Sequence, residues 1–172
     1  GFSPDSPAYG GWGFGINQRP TLSSFVDLSH TRRVLAALNE ANKIDAEIKS
    51  RALRFLSLLQ KSAKETRSPI IPTKSPMTFG FIPPPYDGGF FSSPNISYAN
   101  KGRIAKDPLT RRPYYRSYAT ATCDGVLALL ATGVPKTDDR VLDAVRWLER
   151  HSGWDMPQGI PAKHSEPWAE SM

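Results

Sequence analysis

Residues 34–38 read VLAAL, and residues 126–130 read VLALL, 92 positions later. Residues 51–56 read RALRFL, residues 143–148 read DAVRWL, and these two stretches are again 92 positions apart. One offset fits both pairs, so the sequence contains two copies of a two-helix unit with equal internal length. Repeated helical hairpins are typical of stacked or ring-shaped helical architectures.

Four segments carry the helical spacing of apolar residues. The sequence predicts helices over about 27–42, 45–64, 118–132 and 137–151. The third is apolar or small nearly all round, so we expect it to be buried on several sides. The predicted inward faces of the other three consist of Leu28, Thr31, Leu35 and Leu38; Ile48, Ala52, Phe55, Leu56 and Leu59; and Val141, Leu142, Val145 and Leu148. Solvent-facing positions predicted on the second helix are Lys49, Arg51 and Lys61.

The length of 172 residues corresponds to about one domain. We expect a single all-α domain over 1–172, in which long Pro/Gly-rich segments join two helical hairpins. The expected parts are hairpin one at 27–64, a long loop at 65–117, hairpin two at 118–152 and an extended tail at 153–172.

The cysteine content, the apolar runs and the first residues limit which classes of protein fit this sequence. The single cysteine, Cys123, excludes an internal disulfide and a multi-cysteine zinc site. No apolar run is long enough to predict a transmembrane helix. The chain begins with Gly1 and shows no signal-peptide pattern, so we expect a processed N-terminus or a piece of a longer polypeptide. The compartment stays open, and a soluble or a peripheral location fits equally.

The net charge of +6 raises the question of an anionic partner, either nucleic acid or a membrane surface. Basic residues near aromatic ones can bind nucleic acid, but a charge run alone is weak support for that function. We therefore expect a solvated loop that packs on the protein or on a partner, and no nucleic acid. The basic residues concentrate at Lys101, Arg103, Lys106, Arg111, Arg112 and Arg116, interleaved with Tyr114, Tyr115 and Tyr118.

A glycine-rich turn with an aromatic residue precedes each helical pair. The first copy reads GGWGFGINQRPTLSSFVDLSHTRRVLAAL at 10–38, and the second reads YDGGFFSSP at 86–94 followed by YRSYATATCDGVLALLATGV at 115–134. This order resembles the terpene cyclase and protein prenyltransferase superfamily, and in particular its squalene-hopene cyclase-like branch, which includes bacterial squalene-cyclase-like proteins. The resemblance implies an α/α toroid, in which inner helices surround a central cavity and outer helices wrap them.

The resemblance also places the catalytic motif of the cyclases. Their inner helix begins Asp-x-Asp-Asp-Thr, and one aspartic acid protonates an isoprenoid double bond. The matching residues here are Asp27-Leu28-Ser29-His30-Thr31, with Ser29 at the position of the proton donor and His30 at the next Asp. A serine hydroxyl cannot protonate an alkene, and imidazolium is a far weaker acid than a tuned carboxylic acid. We therefore expect no proton-initiated cyclisation and no catalytic residue on this helix. The resemblance suggests Asp27, His30, Tyr118, Thr122 and Cys123 as residues that line a ligand cavity.

The prenyltransferase branch binds zinc through Asp, Cys and His at the starts of inner helices. Asp27, His30 and Cys123, with Asp124, supply those residue types, but their spacing does not match the family motif. In the alternative reading, Asp27 caps the first helix, His30 hydrogen-bonds locally and Cys123 packs as a small apolar residue. We expect no cofactor, and zinc is the alternative.

Two hairpins are too few to close a toroid, so the inner helices have flanks that this chain does not cover. We therefore expect a non-catalytic structural or interaction subunit that packs on other protein chains or on the missing part of the same chain. Two alternatives from other classes stay open. One is a fragment of a terpene cyclase or prenyltransferase that acts on isoprenoid substrates. The other is a module that binds an isoprenoid or another lipid.

Overall fold

The computed structural model describes residues 1–14, 25–72, 85–151 and 159. Within them the chain is mostly helical, with four helices and one small two-stranded sheet. The sequence prediction of four helices is therefore confirmed, while most of the tail predicted at 153–172 lies outside the described residues. The elements in chain order are α1 (Leu28–Glu40), α2 (Ala46–Leu59), a 3-10 turn (Ser97–Ala99), β1 (Ile104–Lys106), β2 (Pro113–Tyr115), α3 (Ala119–Ala131) and α4 (Asp139–Arg150).

Aspartate side chains cap three of the four helices. Asp27 accepts a hydrogen bond from the backbone N–H of His30 at 2.8 Å, and Asp45 accepts one from Ile48 at 2.7 Å. Asp138 caps α4 in the same way. Each carboxylate satisfies an amide that the first helical turn leaves without a partner, and its negative charge suits the helix dipole. The cap that the sequence analysis places at Asp27 therefore forms.

The first helices of the two repeats, α1 and α3, share the most extensive contact between elements of the described residues. We call these two the inner helices, and α2 and α4 the outer helices. Helix α3 also contacts α4 and, less extensively, α2. The small side chains of α3 allow these three helices to approach its backbone closely. The buried core spans both repeats and includes Leu28, Leu35, Ala52, Phe55, Leu56, Leu59, Phe90, Phe91, Ala121, Ala128, Leu129, Val141 and Ala144.

A glycine turn holds the outer helix of each repeat in the same way. Gly10 and Gly88 both adopt left-handed backbone angles, with φ of +84° and +87°. A Cβ on Gly10 would collide with the carbonyl of Arg51 on α2, and a Cβ on Gly88 would lie 2.7 Å from the carbonyl oxygen of Asp143 on α4. Only glycine combines this φ with so close a helix backbone. Arg51 and Asp143 are 92 residues apart, so the outer helices keep the offset found in the sequence.

A threonine joins the same turn to the inner helix. The Thr31 hydroxyl accepts the Trp12 N–H at 2.9 Å, and the Thr122 hydroxyl accepts the Phe90 N–H at 3.1 Å. Both hydroxyls also donate to the carbonyl of the N-cap residue that precedes their helix. The two threonines are 91 positions apart, one less than the offset of the sequence match, because the inner helices align by their first turns.

The segment 65–117, predicted as a loop, contains a β-hairpin among its described residues. In this antiparallel pair, Ile104 lies opposite Tyr115 and Lys106 lies opposite Pro113. The Tyr115 ring packs 5.4 Å from Phe91, and its hydroxyl donates to the carbonyl of Ile70 at 2.9 Å. Strands of three residues carry too short an alternation to be recognised in a sequence.

The burial of several side chains differs from the sequence prediction. Lys61, expected in solvent, is only 2% exposed, because α2 ends at Leu59 and the chain turns inward at Lys61 with a φ of +60°. Val145, expected in the core, is 37% exposed, and Trp147 takes the buried position on α4. Helix α3 contacts three helices but is not covered all round, since Leu127 is 49% exposed.

Candidate functional site

The residues that the sequence marked as a site lie at the starts of α1 and α3. Asp27 and His30 are directly paired, since the His30 Nδ1 lies 2.9 Å from both carboxylate oxygens of Asp27. Asp27 is nearly buried, while His30 is partly exposed. One Asp27 oxygen also accepts the His30 backbone N–H, so both carboxylate oxygens have partners on His30. This pair orients the imidazole.

Aromatic rings surround His30. The Phe14 ring centroid is 4.1 Å from the imidazole, and that of Phe25 is 6.0 Å away in an edge-on arrangement. Phe25 also contacts Tyr98, whose side chain is 71% exposed. We call Phe14, Phe25, His30 and Tyr98 the aromatic cluster. It combines accessible ring faces with one imidazole, a surface that suits an apolar or cationic group.

The side chains of Tyr118 and Thr122 are buried and form hydrogen bonds within the fold. Tyr118 is the N-cap residue of α3 and is buried, and its hydroxyl donates to the carbonyl of Ala99 at 3.2 Å. Burial raises the pKa of Tyr118 to about 12, and the nearby carboxylates of Asp124 and Asp27 add to the rise. Thr122 is completely buried and joins the Phe90 turn to α3. Neither hydroxyl therefore faces an open cavity.

Cys123 is exposed on α3, next to Asp124. Partial burial of its sulfur against the helix, together with the charge of the Asp124 carboxylate, raises the pKa of the Cys123 thiol. A thiol with a raised pKa holds little thiolate at neutral pH and is a poor nucleophile and metal ligand. We therefore expect low thiol reactivity at this position.

An ion pair joins the two inner helices beside this cysteine. Arg32 on α1 donates to Asp124 on α3 at 2.9 Å. Burial raises the pKa of Asp124, against the opposing effects of the Arg32 charge and of hydrogen bonds from Arg32 and Ser29. Ser29, which the sequence resemblance matches to the cyclase acid, is thus a hydrogen-bond partner of Asp124.

The zinc alternative finds no support in this geometry. Within the part of the chain that the structure describes, no three His, Cys, Asp or Glu side chains lie close enough to hold a metal ion. Asp27 and His30 bind each other, and Cys123 does not join them as a third ligand.

A polar cluster missed by the sequence prediction lies at the other end of the second glycine turn. The buried Lys61 Nζ is 2.7 Å from Asp87 and 2.6 Å from the Ser117 hydroxyl, which itself donates to Asp87 at 2.8 Å. Burial lowers the pKa of Lys61, and the charge of Asp87 opposes that effect. The cluster ties the end of α2 to the residues just before α3. The sequence prediction missed this burial because it depends on the positive φ of Lys61, and a backbone angle cannot be read from the sequence.

A shallow cleft of about 440 Å³ opens beside this cluster. The Trp147 and His151 rings stack along it at 4.0 Å. Tyr86 donates to Asp143 at 2.8 Å on its rim, and the pKa of Tyr86 is raised by burial and by that carboxylate. Two acids and two arginines are among the lining residues, so the cleft has no dominant charge. Its lining residues are Tyr86, Asp87, Gly88, Asp143, Arg146, Trp147, Arg150 and His151.

Comparisons with protein-family models, with curated proteins and with solved structures find no match to this chain. None of the helices in the described ranges has the length and apolar character needed to span a bilayer.

Proposed function

We propose that the chain is a non-catalytic structural subunit, built from two hairpins of a squalene-cyclase-like α/α toroid, that packs on further protein. The repeated clamp of glycine turn, outer helix and inner-helix threonine supports the toroid part of this proposal. Two units clamped alike and stacked through their inner helices have the organisation of a repeat array.

The accessible stripe of α3 is the observation that carries the proposal. Thr120, Cys123, Leu127 and Leu130 follow one another at helical spacing and are all accessible. Such a stripe on the most apolar helix of a small protein is typical of a surface that another protein covers. A neighbouring hairpin in a toroid would contact an inner helix on this side.

The chemistry of the α1 start supports a role without catalysis. Asp27 is occupied by its cap and by His30, and Ser29 has no acidic proton to donate to an alkene. The Cys123 thiol is held in its neutral form by the raised pKa. The residues in this region stabilise the pairing of two helices.

Matched surface variants test the structural proposal. We expect Leu127→Arg to abolish co-purification of other chains with the tagged protein from its native source, while the thermal unfolding temperature stays within about 2 °C. Val145→Arg alters an exposed apolar residue on α4 and serves as the control. Recovery of the wild-type chain as a lone 19.0 kDa species from native material would contradict the proposal.

A second candidate function, binding of an isoprenoid, is supported by the aromatic cluster beside Asp27. Titration with farnesol and with farnesyl diphosphate, followed by calorimetry, tests it. We expect saturable binding that Phe14→Ala weakens about tenfold, because an accessible aromatic face contributes roughly 1.5 kcal/mol. Tyr86→Ala, in the separate cleft, should leave the affinity unchanged. Equal loss in both variants, or no binding at all, would reject this function.

A further inference from the structure

The positive charge of the chain is concentrated in one stretch. Residues 88–123 contain six basic residues and one acid, so five of the six net positive charges lie there. The acid is Asp107, and the bases cluster around the β1–β2 hairpin. Lys106, Arg111 and Arg116 are exposed. An anionic surface that binds this stretch would therefore interact with most of the protein's net positive charge.

The only acid of this stretch is turned into the hairpin tip. The Asp107 carboxylate accepts the Leu109 N–H at 3.0 Å, the Thr110 N–H at 2.6 Å and the Thr110 hydroxyl at 2.8 Å. These hydrogen bonds, led by those from Thr110, lower the pKa of Asp107. A backbone hydrogen bond from Arg111 to the carbonyl of Asp107, at 2.9 Å, closes the turn. The tip is therefore ordered by its own contacts.

This ordered turn presents one large apolar side chain. Leu109 is 91% exposed, the highest value among the exposed large apolar residues of the described chain. The hairpin base is anchored by Tyr115, which packs on Phe91 and bonds to the carbonyl of Ile70. An apolar tip with exposed cations behind it, carried on a fixed base, has the layout of a segment that inserts shallowly into a lipid interface.

We propose that the hairpin tip 107–112 is a membrane-contact site for bilayers that contain anionic phospholipid. Leu109 enters the headgroup–acyl boundary, while Lys106 and Arg111, which flank the tip, lie against the lipid phosphates. A nucleic acid would use the same cations but would give the aliphatic Leu109 no contact, since single strands stack on aromatic rings. The membrane accounts for both the charge and the apolar tip.

Sedimentation of the full chain with sucrose-loaded vesicles tests this inference. We expect binding to vesicles of 70% phosphatidylcholine and 30% phosphatidylserine, and little binding to phosphatidylcholine alone. Each basic residue near an anionic surface strengthens binding about fivefold, so Lys106→Gln with Arg111→Asn should weaken it about 25-fold. Asparagine suits the left-handed backbone of Arg111, which has a φ of +59°.

Two further variants separate charge from apolar insertion. Leu109→Ser keeps every charge and should weaken binding about tenfold, because a largely immersed leucine side chain is lost. Lys64→Gln with Lys136→Gln removes two exposed charges elsewhere and should weaken it less than twofold. Equal binding to both vesicle types, or an unchanged affinity in Leu109→Ser, would overturn the proposal. Binding of a single-stranded oligonucleotide that Leu109→Ser leaves intact, without vesicle binding, would replace it with a nucleic-acid site.

Discussion

At the scale of single residues, two ion pairs with buried cations, Arg67–Glu65 and Lys61–Asp87, hold together segments that are distant in the sequence. Arg67 donates to both oxygens of Glu65, and it reaches the carbonyl of Ser6 at 3.0 Å and that of Arg54 at 2.5 Å. It thereby fastens the N-terminal segment to α2. Lys61, just after α2, likewise fastens the end of that helix to the second glycine turn through Asp87. Each polar group in these networks has partners, as burial requires.

The Lys61 network gives a test of which charge governs stability. Asp87→Asn removes the countercharge from a buried ammonium group, so we expect a loss of about 2 kcal/mol in the free energy of unfolding. Lys61→Met with Asp87→Asn should recover at least half of that loss, since no buried charge remains. Urea denaturation at pH 7 measures both. A Lys61→Met variant that loses as much as Asp87→Asn would show instead that the ammonium group is net stabilising.

The pKa direction of Lys61 predicts a dependence on pH. Because burial lowers the native-state pKa below the ordinary 10.5, the unfolded chain binds this proton more tightly. The free energy of unfolding should therefore gain a contribution as the pH rises from the native pKa towards 10.5. Lys61→Met should remove that gain. An unchanged alkaline slope in the variant would contradict the assignment.

The lowered pKa of Glu65 predicts how the free energy of unfolding changes at acid pH. Burial alone would raise its pKa, but the hydrogen bonds and charge of Arg67 outweigh burial and lower it. The resulting stability is complete above the unfolded value of 4.5 and is lost as the pH falls through the native pKa. Glu65→Gln should cost about 2 kcal/mol at pH 7 and flatten the acid limb. Thermal unfolding between pH 3 and 7, with exposed Glu40→Gln as the control, measures both effects.

At the scale of elements, the glycine turns decide how the outer helices sit. Gly10→Ala introduces both a strained φ and a collision with the α2 backbone, so we expect a loss of at least about 3 kcal/mol. Gly133→Ala is the matched control, because Gly133 has a φ of +76° but its added Cβ would lie 3.6 Å from its nearest neighbour, the Lys49 Nζ. That variant should lose only about 1 kcal/mol, from backbone strain alone. Similar losses in the two variants would show that the collision relaxes.

The four helices were predictable from the sequence because apolar spacing and capping aspartates are local signals. Two repeats were also visible, since the Leu-rich stretches recur at one offset. The offset between the inner helices, one residue shorter than that of the sequence match, was not visible, because it accompanies hydrogen bonds that Thr31 and Thr122 accept from the backbone of Trp12 and Phe90. The β-hairpin was missed, since its strands depend on tertiary contacts of Tyr115.

The candidate site was predicted in part. The Asp27–His30 pair follows from the three-residue spacing within one helical turn. The packing of Phe14 and Tyr98 around it did not follow, because these rings come from separate segments of the chain. The burial of Lys61 was predicted wrongly, since the periodicity of α2 was extended past the residue where the helix ends.

At the scale of the whole molecule, the two repeats are linked by backbone contacts as well as by the core. Leu28 of α1 donates to the carbonyl of Ser92 at 2.8 Å, and Phe91 donates to that of Leu59 at 3.2 Å. The second glycine turn is thus held by both helices of the first repeat. Neither repeat can open without losing contacts that belong to the other, so the described parts should unfold together.

Gln60 offers a test of this coupling. Its buried side-chain amide donates to the carbonyl of Gly88 at 3.0 Å and to that of Arg140 at 2.8 Å, so one residue at the end of α2 bonds to the turn and to α4. Gln60→Ala leaves both carbonyls without this donor and should cost about 2 kcal/mol. Hydrogen exchange across a urea series should give α1 and α4 one common opening free energy in the wild type, lowered equally in both helices by the variant. An α4 that opens well before α1 in the wild-type protein would mean that the repeats are independent units.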